Sequence, residues 1–159
     1  MDAGTEHTEP MIEMDAAAMH EYLDGLFPMG VPWTLTRVDE DGVTLRMEPG
    51  EGSTRPGGTV SGPTVVMLAD SAAYAVVISH IGPKPLAVTS NINLSFLRRP
   101  KVQPLVAEAS LLKLGRSLAF AEVSVFNEGD RKPVAHAVVT YALTLADLGI
   151  DPSFTARTS

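Results

Sequence analysis

Between Glu51 and Glu108 the chain carries one acidic residue, Asp70, in the middle of the most apolar segment of the sequence. An ionised carboxylate taken from water without partners is costly, so Asp70 requires hydrogen-bond donors, a solvent-lined cleft or a chemical role. Hydroxyls close in sequence, Ser71 and Thr64, are candidate donors, and a subunit interface is another shelter. As chemistry, a carboxylate so placed takes a proton from water or attacks a carbonyl itself.

Just upstream, the run Gly57, Gly58, Thr59, Val60, Ser61, Gly62, Pro63 leads into the same segment. Pro63 suits the first turn of a helix, with Ser61 or Gly62 at its cap. The unpaired N–H groups of a helix start can receive the oxyanion of an acyl-transfer transition state. A tight loop that only caps a helix has the same composition, and Ser61 likewise reads either as a cap or as a catalytic hydroxyl. Gly62 and Asp70 are eight residues apart, roughly 12 Å along a helix. A catalytic carboxylate must come within about 3 Å of the group it serves, or one water further. Joint action therefore requires Asp70 from one subunit and the glycine end from another.

Arg98, Arg99, Lys101 and Arg116 form local basic spots able to hold phosphate, or ordinary charge at strand ends. His80 and His136 have no partner acid at ligand spacing and read as structural. The sequence contains no Gly-x-Ser-x-Gly elbow, no phosphate-binding Gly-Lys-Ser/Thr loop, no metal motif and no cysteine. Serine hydrolase, nucleotidase and metalloenzyme readings therefore lack their motifs, and a thiol nucleophile, disulfides and cysteine-ligated zinc are excluded.

The elements that must position these groups follow from periodicity. Met14 to Phe27 places Ala18, Tyr22, Leu23 and Leu26 at helical spacing. Trp33 to Val38 and Val43 to Met47 alternate as strands around the turn at 39–42, and 49–63 is a glycine- and proline-rich loop. Thr64 to Ile81 is apolar nearly all round, so that helix must be covered on most sides. From Leu86 the period becomes two: Leu86 to Leu97, Leu105 to Leu114, Leu118 to Phe126 and Pro133 to Leu145 read as strands separated by turns. This order predicts an α+β fold, a long curved antiparallel sheet wrapped around one central apolar helix, which is the hotdog architecture. The expected organisation is a loose acidic leader over 1–13, one domain over 14–147 and a tail over 148–159.

With 159 residues and 45% apolar side chains the chain has material for one core. Seven acids and no Lys or Arg lie in residues 1–24, while the remainder is nearly balanced, so there is no basic stripe for nucleic acid. The apolar run at 64–81 is interrupted by Asp70 and closed by Gly82 and Pro83, and reads as a buried helix rather than a membrane span. The acidic beginning is unlike a secretory signal peptide, and the absence of cysteine fits a reducing cytoplasm. A cytoplasmic location is expected.

Arg55 to Ala72, followed by Val88 to Pro100 (VTSNINLSFLRRP) and then Leu114 to Ser117, resembles the phenylacetic-acid-type (PaaI-like) acyl-CoA thioesterases of the hotdog superfamily, over about residues 33–145. That family pattern has an Asn, a short glycine loop, His-Gly-Gly and an acid nine residues after the His. The resemblance implies that Gly62 offers its N–H to the thioester carbonyl and that Asp70 is the catalytic acid. It also implies substrate-binding positions at Arg55, Gly58, Pro63, Asn91, Arg98, Arg99 and Arg116, with CoA entering as part of the substrate and no other cofactor. Ser61 stands at the His position, Arg55 at the Asn position and Pro63 at the second Gly. The absence of a loop His argues against dehydratase chemistry. The implied activity is hydrolysis of acyl-CoA by a homodimer or homotetramer; the alternative is a non-catalytic hotdog protein that binds acyl-CoA or another ligand.

Overall fold

The computed structural model describes residues 12–83 and 87–144, so most of the expected leader and the whole tail lie outside the described residues. The N–H groups of Glu13 and Met14 both donate to the Ser79 carbonyl, at 2.7 and 3.2 Å. Helix α1 (Ala16–Leu26) follows, capped by Asp15, whose carboxylate accepts from the Ala18 N–H at 2.9 Å. Its inward stripe includes fully buried Met19, which the expected set omits, together with Tyr22, Leu23 and Leu26.

Strands β1 (Trp33–Asp39) and β2 (Gly42–Met47) form the expected hairpin. The turn requires Gly42, because a Cβ there would come within 2.1 Å of the Ala109 carbonyl oxygen. The glycine-rich stretch is more ordered than its composition suggests. It holds a 3-10 turn (Glu51–Ser53) and a small hairpin of β3 (Thr54–Arg55) and β4 (Thr59–Val60), whose strands are too short for any periodic signal.

Helix α2 (Gly62–Ile81) starts two residues before the expected Thr64 because Ser61 takes the cap position. By length and composition it would cross a membrane, yet twelve of its side chains are buried, as befits a core helix. His80 is buried with its Nδ1 2.9 Å from the Val76 carbonyl, which supports a structural role.

Strands β5 (Val88–Phe96), β6 (Leu105–Leu114), β7 (Leu118–Asn127) and β8 (Ala135–Ala142) complete a six-stranded antiparallel sheet in the order β1-β2-β6-β7-β8-β5. Strict alternation on β7 and β8 turns Ala119, Ala121, Val123, Val125, Ala135, Ala137, Val139 and Tyr141 inward. These mostly small residues face the alanines of α2, which lets helix and sheet approach closely. The chain has the hotdog fold.

One edge of the sheet is β5, most of whose residues are exposed, among them Val88 at 57% and Phe96 at 56%. It carries a β-bulge at Ser90. Asn91 faces Thr140 on the outer side, whereas Thr89 faces Tyr141 on the helix side. Unbroken alternation would put Thr89 on the same face as Asn91, Asn93 and Ser95. The extra residue therefore turns Thr89 toward α2.

Candidate active site

Asp70 sits at the middle of α2, half-buried, beneath the end of the sheet where β5 starts and β8 finishes. Its donors are not the sequence neighbours: Thr64 bonds with Ser61 and the Ser53 carbonyl, and Ser71 with the Met67 sulfur. The Thr89 hydroxyl donates to Asp70 Oδ1 at 2.8 Å, and the Tyr141 phenol donates to the same oxygen at 2.7 Å. The Asp70 backbone carbonyl, 3.1 Å from the phenol, is a second acceptor. No hydrogen bond reaches Asp70 Oδ2 among the described residues.

Burial pushes the Tyr141 phenol up from its ordinary value; a hydrogen bond with Thr89 works against the shift, and the charge of Asp70 adds to it. Tyr141 is thus held as a neutral donor. Its ring lies 6.0 Å from that of Tyr74, and the Tyr74 hydroxyl is 3.2 Å from that of Tyr22 on α1. Leu26, Phe27, Trp33, Asp70, Ser71, Tyr74 and Tyr141 together line a cleft of about 350 Å³. A carboxylate oxygen without a hydrogen-bond partner among the described residues, on a residue that lines a largely apolar cleft, is equipped to act as base or nucleophile.

Gly62 lies in a different cleft, of about 600 Å³, with Arg55, Arg98, Arg99, Phe96 and Val65 on its walls. Ser61 caps α2: its hydroxyl is 3.4 Å from the Thr64 N–H and 2.7 Å from the Thr64 hydroxyl. As the first helical residue, Gly62 has an N–H with no partner inside the helix. Its backbone is not left-handed, and a Cβ there would meet only the Phe96 ring, at an ordinary 3.5 Å. Among the described residues, neither conformation nor packing demands glycine at 62. Gly57 is different: its φ is 101° and a Cβ would meet the Arg99 guanidinium at 2.9 Å. That guanidinium donates to the Gly57 carbonyl at 2.8 Å and so lies across the loop.

The structure thus brings Arg55, Gly62, Arg98 and Arg99 together. Gly58, in the β3–β4 turn, and Pro63, in the first turn of α2, flank this group and are exposed. Asn91 is on the outer face of β5, and Arg116 is in the β6–β7 turn, at the Asp70 end of the sheet. The seven residue steps from Thr89 to Phe96, roughly 23 Å of strand, separate that end from Arg98 and Arg99. Lys101 pairs with Asp130 at 3.3 Å. His136 does have an acid partner, Glu122 at 2.7 Å, supplied across the β7–β8 pair and therefore invisible to sequence spacing. Sequence reading also missed Thr89 and Tyr141; a hydroxyl pair at cross-strand positions becomes recognisable only once the register and the bulge are known.

The sequence model of the thioesterase superfamily matches residues 57–134. No curated relative matches the chain. Among solved structures, a protein assigned as a thioesterase from Silicibacter sp. TM1040 is 37% identical, with a TM-score of 0.79 over 86% of this chain and 96% of that one. Thioesterase superfamily member 2 of zebra fish, at 21% identity, has a TM-score of 0.73 over 82% and 99% of the two chains. A phenylacetic acid degradation-related protein from Ralstonia eutropha JMP134, also assigned as a thioesterase, is 24% identical with a TM-score of 0.64 over 76% and 89%. The last two show likeness of fold. The extent and identity of the first match, together with the superfamily segment that spans the glycine loop and Asp70, establish that this chain belongs to the thioesterase superfamily, whose general chemistry is thioester hydrolysis.

Proposed function

We propose that the protein hydrolyses acyl-CoA thioesters to the free acid and CoA, with Asp70 as the catalytic carboxylate and the Gly62 N–H as the oxyanion donor. The observation that carries the reading is the state of Asp70: it lines a cleft, one of its oxygens holds two hydroxyl donors, and the other accepts no hydrogen bond among the described residues. Asp70 Oδ2 either takes a proton from water as the water oxygen attacks the thioester carbon, or attacks that carbon itself to give an anhydride that water then cleaves. On both routes the carbonyl oxygen becomes an oxyanion and accepts from the Gly62 N–H, the C–S bond breaks, and CoA leaves as thiolate and is protonated. Arg55, Arg98 and Arg99 at the Gly62 cleft supply charge for CoA phosphates. The reaction as proposed uses no metal or organic cofactor.

The site is completed by a second copy of the chain. Two β5 edges paired antiparallel about a twofold axis set the Thr89 end of one strand against the Phe96 end of the other. The Asp70 cleft of one chain then approaches the Gly62 cleft of its partner, and exposed Val88 and Phe96 are covered. Free thiol released from short, long and aryl acyl-CoA substrates tests the activity. Tight binding with the thioester intact would favour the alternative, a non-catalytic acyl-CoA binder, which is supported by Ser61 at the family His position and Arg55 at the family Asn position.

A further inference from the structure

Among the described residues, both hydrogen bonds to the Asp70 side chain arrive at Oδ1, and they come from residues directly opposite each other on neighbouring strands, Thr89 on β5 and Tyr141 on β8. The two donors differ in how firmly they are held. Thr89 is exposed on an edge strand beside a bulge, whereas Tyr141 is 3% exposed and packs against Tyr74. The phenol also contacts the backbone carbonyl of Asp70, so the ring is registered against the helix itself and not merely against the carboxylate. A carboxylate swivels about its last bond unless one oxygen is fixed, and a swivelling group presents either oxygen at changing angles.

We propose that Tyr141 is a positioning residue for Asp70: its phenol fixes Oδ1 and thereby leaves Oδ2 as the oxygen aimed at the reacting carbonyl or its water. This rests on the reading of Asp70 as the catalytic carboxylate. Burial keeps the phenol protonated, so it serves as a donor without taking part in proton transfer. Tyr141 contributes to the orientation of a group already present, and its loss therefore bears on the chemical step rather than on substrate capture.

The test compares the full-length parent with Tyr141→Phe, Thr89→Val and Asp70→Asn, measuring kcat and KM on whichever acyl-CoA the parent cleaves best, with melting temperature and folded fraction for each. The expected result is a fall in kcat of about tenfold or more for Tyr141→Phe at a KM within about twofold of the parent, per mole of folded protein. Thr89→Val should cost less, because the buried phenol still holds Oδ1. An unchanged kcat in Tyr141→Phe while Asp70→Asn is inactive would overturn the positioning role and leave the catalytic reading standing. Loss matched by loss of folded protein, or a rise in KM at constant kcat, would also overturn it. An Asp70→Asn protein with parental kcat would overturn both.

Discussion

Gly62 and Asp70 lie on one helix, α2, eight residues and roughly 12 Å apart, and each opens into its own cleft. The Gly62 cleft has arginines and the first N–H of α2; the Asp70 cleft has aromatic walls and a carboxylate oxygen that accepts no hydrogen bond among the described residues. The acyl-CoA proposed as substrate has a polyanionic CoA arm and an apolar acyl group, one suited to each cleft, provided that the clefts meet at the carbonyl. Within one chain they do not meet.

Self-association should therefore accompany activity. Light scattering at micromolar concentration should give a homodimer, or a pair of dimers, because among the described residues β5 is an edge strand with exposed Val88 and Phe96. A monodisperse monomer that hydrolyses thioesters at the full rate would overturn the two-chain site.

Ser61 gives a sharper separation of roles. As a helix cap it should cost about 0.5–2 kcal/mol of stability on replacement by alanine, with turnover per folded molecule unchanged. A fall in turnover on the order of a hundredfold at an unchanged melting temperature would instead place its hydroxyl among the catalytic groups.

Much of this arrangement is legible in the sequence because its signals are local. An all-round apolar segment reads as a covered helix, and a lone acid within it stands out against that background. The residues that hold the acid are 19 and 71 positions away, on two strands whose pairing is a tertiary event. Thr89 is hidden doubly, since the period set by Asn91, Asn93 and Ser95 assigns it to the outer face and the bulge at Ser90 reverses that assignment. Tyr141 sits in an apolar alternation where an aromatic ring is expected for packing alone. The same limit separates Arg116 from Arg98 and Arg99, which sequence reading groups by charge and the antiparallel hairpins carry to opposite ends of the sheet.

The raised phenol of Tyr141 predicts an alkaline effect on stability. Its ordinary value is 10.0, and burial favours the neutral form in the folded state, so its contribution is intact below pH 10. As the pH rises past that point, the unfolded chain ionises while the folded one resists, and stability falls by up to about 1.4 kcal/mol per pH unit. Chemical denaturation of the parent should show this additional loss relative to Tyr141→Phe above pH 10 and no difference in slope below pH 9. Parallel curves throughout would mean that the phenol ionises equally well in both states.

The replacement Asp70→Asn should abolish turnover with little change in fold, because the amide oxygen still accepts from Thr89 and Tyr141 but neither attacks a carbonyl nor takes a proton from water. Removing a charge from a half-buried helix position relieves desolvation, so the melting temperature should equal or exceed that of the parent. Combining chains tests the geometry directly. Gly62→Val blocks the other half of the site, since the added methyls reach from the backbone into the cleft toward Phe96. In a heterodimer of Asp70→Asn with Gly62→Val, one of the two sites joins an intact glycine end to an intact Asp70, and the other has neither. With random exchange about half the dimers are mixed, so activity should recover to about a quarter of the parental value from two inactive proteins. Recovery requires the carboxylate of one chain to serve the helix end of the other; no recovery after demonstrated subunit exchange would mean that each chain carries its own complete site, and the 12 Å separation along α2 would then have to close by another route.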